Sequence, residues 1–172
     1  MSRPPLLLAA LLIAPLVACG GDDSPLLGTW QVTTHTRNDT GCAGEGAAVT
    51  DPPFVKFVIT NFFGRDVVEQ VDCTAATTCD ESGGLFGTFF SEDIPGGLRF
   101  QGYTSAGDGT NCTLGSYRSD AVLDASDGLR IESRTYSSAP MQGIVCDPDT
   151  AKAMFASLTC DSLEVMTATR VP

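Results

Sequence analysis

Histidine occurs once in the 172 residues, as His35, which leaves too few imidazoles for most zinc sites and only one base for any nucleophilic triad. Basic residues are scarce, 10 against 21 acids, so a formal charge of −11 argues against a nucleic-acid partner. Charged residues of both signs make up only 18% of the chain, below the roughly 25% of ordinary soluble domains. No Gly-x-Ser-x-Gly elbow, P-loop or His-Glu-x-x-His is present, and no pair of cysteines has Cys-x-x-Cys spacing. Beyond residue 18 no apolar run approaches the roughly 20 residues that cross a bilayer as a helix. What the chain does have is 18 glycines and 10 prolines, many at turn-like positions. That composition disfavours a helical bundle and fits short strands joined by tight turns.

The first residues read as an export signal. Arg3 supplies the positive region, and Leu6 through Leu16 is apolar apart from Pro15. Leu6 to Ala18 is 13 residues, too short to span as a helix. The segment Leu16-Val17-Ala18-Cys19 resembles the lipobox of bacterial lipoproteins. That resemblance implies a diacylglyceryl group on the Cys19 thiol, cleavage before it, and acylation of the new amino terminus. Two or three acyl chains hold a protein stably, whereas one is marginal. Residues 1–18 are then a signal peptide, 19–27 the lipidated cysteine with a short tether, and 28–172 the folded domain. Without residues 1–18 the chain has 154 residues and a formal charge of −12. Gly20, rather than aspartate, follows the cysteine. Within the lipoprotein resemblance this points to a cell-envelope protein of the outer rather than the inner membrane.

Six cysteines remain: Cys42, Cys73, Cys79, Cys112, Cys146 and Cys160. An even set in an exported domain reads as three disulfides, with no metal site and no cofactor. Six cysteines allow 15 pairings. The expected set is Cys73–Cys79 and Cys146–Cys160, both local, with Cys42–Cys112 left over.

Alternation with period two recurs along the mature chain. Trp30, Val32, Thr34 and Thr36 fall on one face of a first strand, with Gln31, Thr33 and His35 on the other. Val55, Phe57 and Ile59 alternate with Phe54, Lys56 and Val58, and Asp66 to Cys73 is β-rich. Leu85 to Phe90 is a short apolar run. Leu98, Phe100 and Gly102 alternate with Arg99, Gln101 and Tyr103. Ser126-Asp127-Gly128 sits between two strand-like runs and marks a hairpin from Ala121 to Arg134. Asp149 to Leu158 is the one helix candidate, with Asp147 or Asp149 as cap and Pro148 at its start. Leu163, Val165, Thr167 and Thr169 alternate in a final strand. The expected fold is all-β: an antiparallel up-and-down barrel of about eight strands, disulfide-bonded, with one late short helix.

Gly28-Thr29-Trp30 opens the first strand and resembles the Gly-x-Trp motif of the lipocalins. In that family the tryptophan packs across the closed end of the barrel against an arginine near the last strand. Arg134 and Arg170 are the candidates here. The family's Thr-Asp-Tyr segment has no clear match, the nearest being Ser119-Asp120-Ala121. The resemblance implies a lipocalin-like barrel that binds a small hydrophobic ligand. The same start also resembles lipidated bacterial protease inhibitors with a lipocalin-like barrel, and a third reading is a structural envelope lipoprotein with a filled core.

No enzymatic constellation is expected. Asp120, Asp124 and Asp127 lack the order of a calcium loop, and Asp127 suits a turn. Asp147 and Asp149 suit a helix start, and His35 reads as an ordinary strand histidine. The phenylalanines are the material available to fill or line a barrel. Phe57 and Phe100 are the preferred ligand-lining residues, because each shares a face with other apolar side chains. Lys56, Arg99 and Gln101 are their expected outward neighbours. The expected partners are the membrane, through the acyl chains, and a small lipophilic molecule.

Overall fold

The computed structural model describes residues 24–44, 46–62, 65–79 and 91–172; Cys19, the signal segment and the Leu85–Phe90 run lie outside them. Ten antiparallel strands form one sheet. They are β1 (Gly28–Asn38), β2 (Ala47–Ala48), β3 (Phe54–Phe62), β4 (Arg65–Ala75), β5 (Thr78–Cys79), β6 (Ser91–Ile94), β7 (Gly97–Gly107), β8 (Cys112–Leu123), β9 (Leu129–Ser137) and β10 (Thr159–Arg170). Their order is β5-β4-β3-β1-β10-β9-β8-β7-β6, and β2 adds to β1 beside β3. Neighbours in the sheet follow chain order except at β1, which pairs with β3 past the short β2 and meets β10 along one long-range seam. Hydrogen bonds do not close the sheet into a barrel among the described residues, since β5 and β6 remain its edges.

The sheet is nevertheless rolled. Phe57 on β3 and Phe100 on β7 lie five strand steps apart, about 24 Å on a flat sheet at ~4.8 Å per step. Their ring centroids are 6.3 Å apart. The inner face therefore closes on itself around one core of Leu26, Trp30, Val55, Phe57, Val68, Leu98, Phe100, Ala121, Leu129, Ile131, Met166 and Ala168. The expected alternations on β3 and β7 and the β8–β9 hairpin are present, with Asp127 in the left-handed region at φ 58°.

Two alternations need correction. On β1 the register slips between Val32 and Thr34, so that both Thr33 and Thr34 reach Thr167: Thr33 Oγ1 donates to Thr167 O at 3.0 Å, and Thr34 Oγ1 meets Thr167 Oγ1 at 2.6 Å. Such a bulge inverts the facing of everything beyond it. His35, placed by period two opposite Trp30, instead shares its inner face and pairs with Met166. On β10 the inward set is Glu164, Met166 and Ala168, not the Leu163–Val165 set.

The helix is shorter than the expected Asp149–Leu158. The α-helix α1 spans Pro148–Ala153, capped by Asp147, whose carboxylate accepts from the Thr150 amide at 2.7 Å. A 3-10 turn, Phe155–Ser157, follows and sets Phe155 edge-on against Tyr103 and Tyr136, at centroid distances of 6.1 and 5.1 Å. This second core, with Cys112, Leu114, Ala151 and Leu158, sits on the outer face of β7–β9.

Three disulfides are present, and only Cys73–Cys79 matches the expected pairing. A bridge between Gly41 and Ser162 brings Cys42 beside Cys160, while a bridge between Cys112 and Met141 leads the chain back so that Cys146 meets Cys112. Tertiary strand contacts, not sequence proximity, decide both. Loop-closure entropy gives about 5 kcal/mol for the 118-residue Cys42–Cys160 separation and about 2 kcal/mol for the 6-residue Cys73–Cys79 separation. Replacing both Cys42 and Cys160 with alanine should therefore lower unfolding free energy in urea more than the same change at Cys73 and Cys79.

Candidate functional site

The inner face changes character along the strands. One cross-strand row, Met166–Ile131–Ala121–Leu98, is apolar throughout. The next row is Glu164–Ser133–Ser119–Phe100, and the one beyond it Ser162–Thr135–Tyr117–Gly102. Two residues of travel thus convert an apolar interior into one lined by a carboxylate and hydroxyls. The apolar end holds Trp30, the start of β1 and the end of β10. At the polar end lie the Cys42–Cys160 and Cys112–Cys146 bridges, which tie its loops to the sheet.

His35 and Glu164 pair at the centre of this polar end. The imidazole Nε2 donates to Glu164 Oε1 at 2.5 Å; the His35 side chain is 4% exposed and that of Glu164 30%. His35 Nδ1 is buried and has no hydrogen-bond partner among the described residues. Buried His35 thus holds one carboxylate oxygen and orients a carboxylate that still meets solvent. Ser133 lies across from Glu164, accepts from Tyr117 Oη at 3.2 Å and shares a 2.9 Å hydrogen bond with Ser119. Among the described residues no serine hydroxyl engages His35 Nδ1. What the arrangement offers is an oriented carboxylate with a short row of hydroxyls.

The residues singled out in the sequence fall into three groups. Trp30 closes the apolar end: it is fully buried, its Nε1 donates to Leu26 O at 2.8 Å, and the Arg170 guanidinium lies 4.3 Å above its ring. Of the two candidate arginines, Arg170 makes this contact. Gly28 has φ +115°, and a Cβ there would stand 3.2 Å from Arg170 Nη1, so both its backbone and its small size serve the same contact. Phe57 and Phe100 face the interior as expected, each 1% exposed, and stack on one another. Of their expected outward neighbours, Arg99 is engaged by acids, and the Gln101 Nε2 is buried without a hydrogen-bond partner rather than solvated.

The acids do not converge, and no metal-binding cluster of histidine, cysteine and acids occurs among the described residues. Asp124 accepts from the Ser126 and Gly128 amides at 2.7 and 3.0 Å and so holds the β8–β9 turn. Asp120 lies on the outer face between arginines. It accepts from Arg99 Nε and Nη2 at 2.7 and 2.9 Å and from Arg118 Nη2 at 3.0 Å. Glu164 was missed because period two on β10 followed Leu163 and Val165 rather than its own face, and His35 because the Thr33 bulge turns it inward; Ser133 and Tyr117, on β9 and β8, lie beyond the reach of that bulge. The available signal was Ser133 itself, a hydroxyl sharing the face of Leu129 and Ile131.

Burial alone would raise the Asp120 carboxyl, but the hydrogen bonds and charges of Arg99 and Arg118 outweigh it and lower it to about 2. A depressed carboxylate contributes stability that is present above its unfolded value and lost as pH falls through its folded one. Asp120→Asn should cost about 2 kcal/mol at neutral pH, a difference that narrows between about pH 4 and pH 2. Urea denaturation of both proteins across that range measures it.

Compared with known proteins, the chain matches no family model, no curated protein and no solved structure.

Proposed function

We propose that this chain is a lipid-anchored cell-envelope protein, acylated at Cys19 and belonging to the outer membrane. In this reading the rolled sheet is a lipocalin-like barrel that takes up a small, largely apolar molecule at its polar end. The anchoring half rests on Leu16-Val17-Ala18-Cys19 after an apolar stretch too short to span. The binding half is carried by one observation: the inner face steps from apolar rows to Glu164, Ser133, Ser119 and Tyr117, where buried His35 holds the Glu164 carboxylate. An amphipathic molecule fits that step. Its polar group meets Glu164 and the hydroxyls, and its body lies toward Phe100, next to Ser119 in the same row. Phe57, stacked on Phe100, forms the floor. Binding then draws on apolar burial at roughly 25 cal/mol per Å², with the polar groups fixing orientation. The residues carry no bond-making step in this proposal.

A second reading, a structural lipoprotein, is favoured by the contact between Phe57 and Phe100, which fills the interior at their level. Two measurements separate these readings. Mass spectrometry of the mature amino terminus should find acylated Cys19; an unmodified terminus would remove the anchoring half. The delipidated domain should bind an uncharged fluorescent naphthylamine saturably, near one per chain. Glu164→Gln and Phe100→Ala should each change that affinity several-fold while the fold, followed by circular dichroism, persists. A folded domain that binds no probe leaves the structural reading, and one that instead blocks a secreted protease points to an inhibitor.

A further inference from the structure

The chain leaves the domain at a fixed place. Arg170, at the end of β10, donates from Nη1 to Leu27 O at 2.8 Å and from Nη2 to Pro25 O, while its guanidinium covers Trp30. Trp30 Nε1 in turn holds Leu26 O, Leu26 is fully buried, and the Leu27 amide donates to Ser24 O at 3.1 Å. Residues 24–27 are therefore part of the folded end and not, as the sequence reading had it, of the tether. Only Gly20 to Asp23 separate them from Cys19.

We infer that this clasp orients the domain on the membrane, with the Trp30–Arg170 end toward the bilayer and the polar end of the interior pointing away from it. The inference rests on the proposed acylation of Cys19. From Cys19 to Ser24 is five residue steps, at most about 18 Å when extended. Strand β1 alone runs 11 residues from the clasp toward the polar end, about 34 Å at ~3.4 Å per residue. The tether is too short to bring the polar end to the surface unless the domain lies on its side. Its side gives a bilayer little to hold. The outer faces of β6–β9 carry Glu92, Arg99, Asp120, Arg118 and Glu132 in paired contact, and Val145 is the sole exposed large hydrophobic residue among those described. A charge of −12 on the mature chain also repels an anionic lipid surface within a Debye length. Repulsion drives the body to the limit of its tether, and the tether is fastened at one end.

The single tryptophan sits at that end and reports on it. The full acylated protein is reconstituted into anionic vesicles of phosphatidylethanolamine and phosphatidylglycerol containing a dansyl-headgroup lipid, and energy transfer from tryptophan is measured. Trp30 should transfer strongly. A second tryptophan placed at the polar end, as Val145→Trp beside Cys146 with Trp30 and its contacts intact, should add emission almost untouched by the dansyl lipid, so that mean transfer efficiency drops by about half. An unchanged mean efficiency, which equal transfer from the two positions would give, overturns the inference. Should the amino terminus prove unacylated, the anchoring proposal fails first and this inference with it, whereas an acylated protein with equal transfer refutes the orientation alone.

Discussion

The pairing of β1 with β10 governs the rest of the molecule. The other strand contacts are closer in the chain: β3–β4, β6–β7, β7–β8 and β8–β9 join across short turns at little entropic cost, while longer segments carrying β2 and α1 link β1 to β3 and β9 to β10. The β1–β10 seam instead brings together residues more than a hundred apart, and three separate interactions hold it along its length. Arg170 covers Trp30 at one end, His35 bonds Glu164 further along, and Cys42 is joined to Cys160 at the other end. Each spans a separation of 118 residues or more, so each offsets the closure of nearly the whole domain. Because β1 and β10 lie at the middle of the strand order, this seam also rolls the sheet and carries Phe57 to Phe100.

The same seam makes the two ends of the molecule different. At the Trp30 end the amino-terminal turn is folded under Arg170, and the interior is sealed by apolar side chains. At the other end disulfides fasten the loops over a polar interior, and the loop before Cys146 also packs Met141 and Ile144 on the outer-face core beside Cys112. Covalent ties suit that place. A rim built over a polar interior has little apolar area to bury, and cross-links limit the freedom of the unfolded chain without needing any. The helical segment reinforces the division, since Phe155 packs on the outside of the sheet against Tyr103 and Tyr136 and leaves the inner face alone.

Much of the sheet was legible because strand alternation is a local property. The pattern from Leu98 to Tyr103 and the turn at Asp127 could be read without knowing any partner. Facing was a different matter, because it depends on registers that no single strand declares. The Thr33 bulge exists through the way Thr33 and Thr34 both meet Thr167, a residue over 130 positions away. One inserted residue turned His35 inward, and with it the reading of the site. Cysteine pairing failed for the same reason. Cys146 and Cys160 are close in sequence, but Cys112 receives one through a strand bridge and Cys42 the other. The choice of Arg170 over Arg134 likewise waited on the register that sets Trp30 opposite Arg170.

The polar end of the interior is not explained by stability. A buried imidazole nitrogen without a partner costs about 1–3 kcal/mol, and a half-buried carboxylate on an inner face sacrifices apolar packing that leucine or methionine would supply. One row away the same strands place Met166, Ile131, Ala121 and Leu98 in those positions, so the backbone accommodates apolar residues there without difficulty. The hydroxyls at Ser119 and Ser133 satisfy each other, and Ser133 also accepts from Tyr117 Oη. His35 is the telling member, since it is spent on orienting Glu164 and leaves its other nitrogen without a partner among the described residues. A filled interior gains nothing from an oriented carboxylate. A site that must fix the polar group of a bound molecule does, and the loss of stability is then the cost of that fixed geometry.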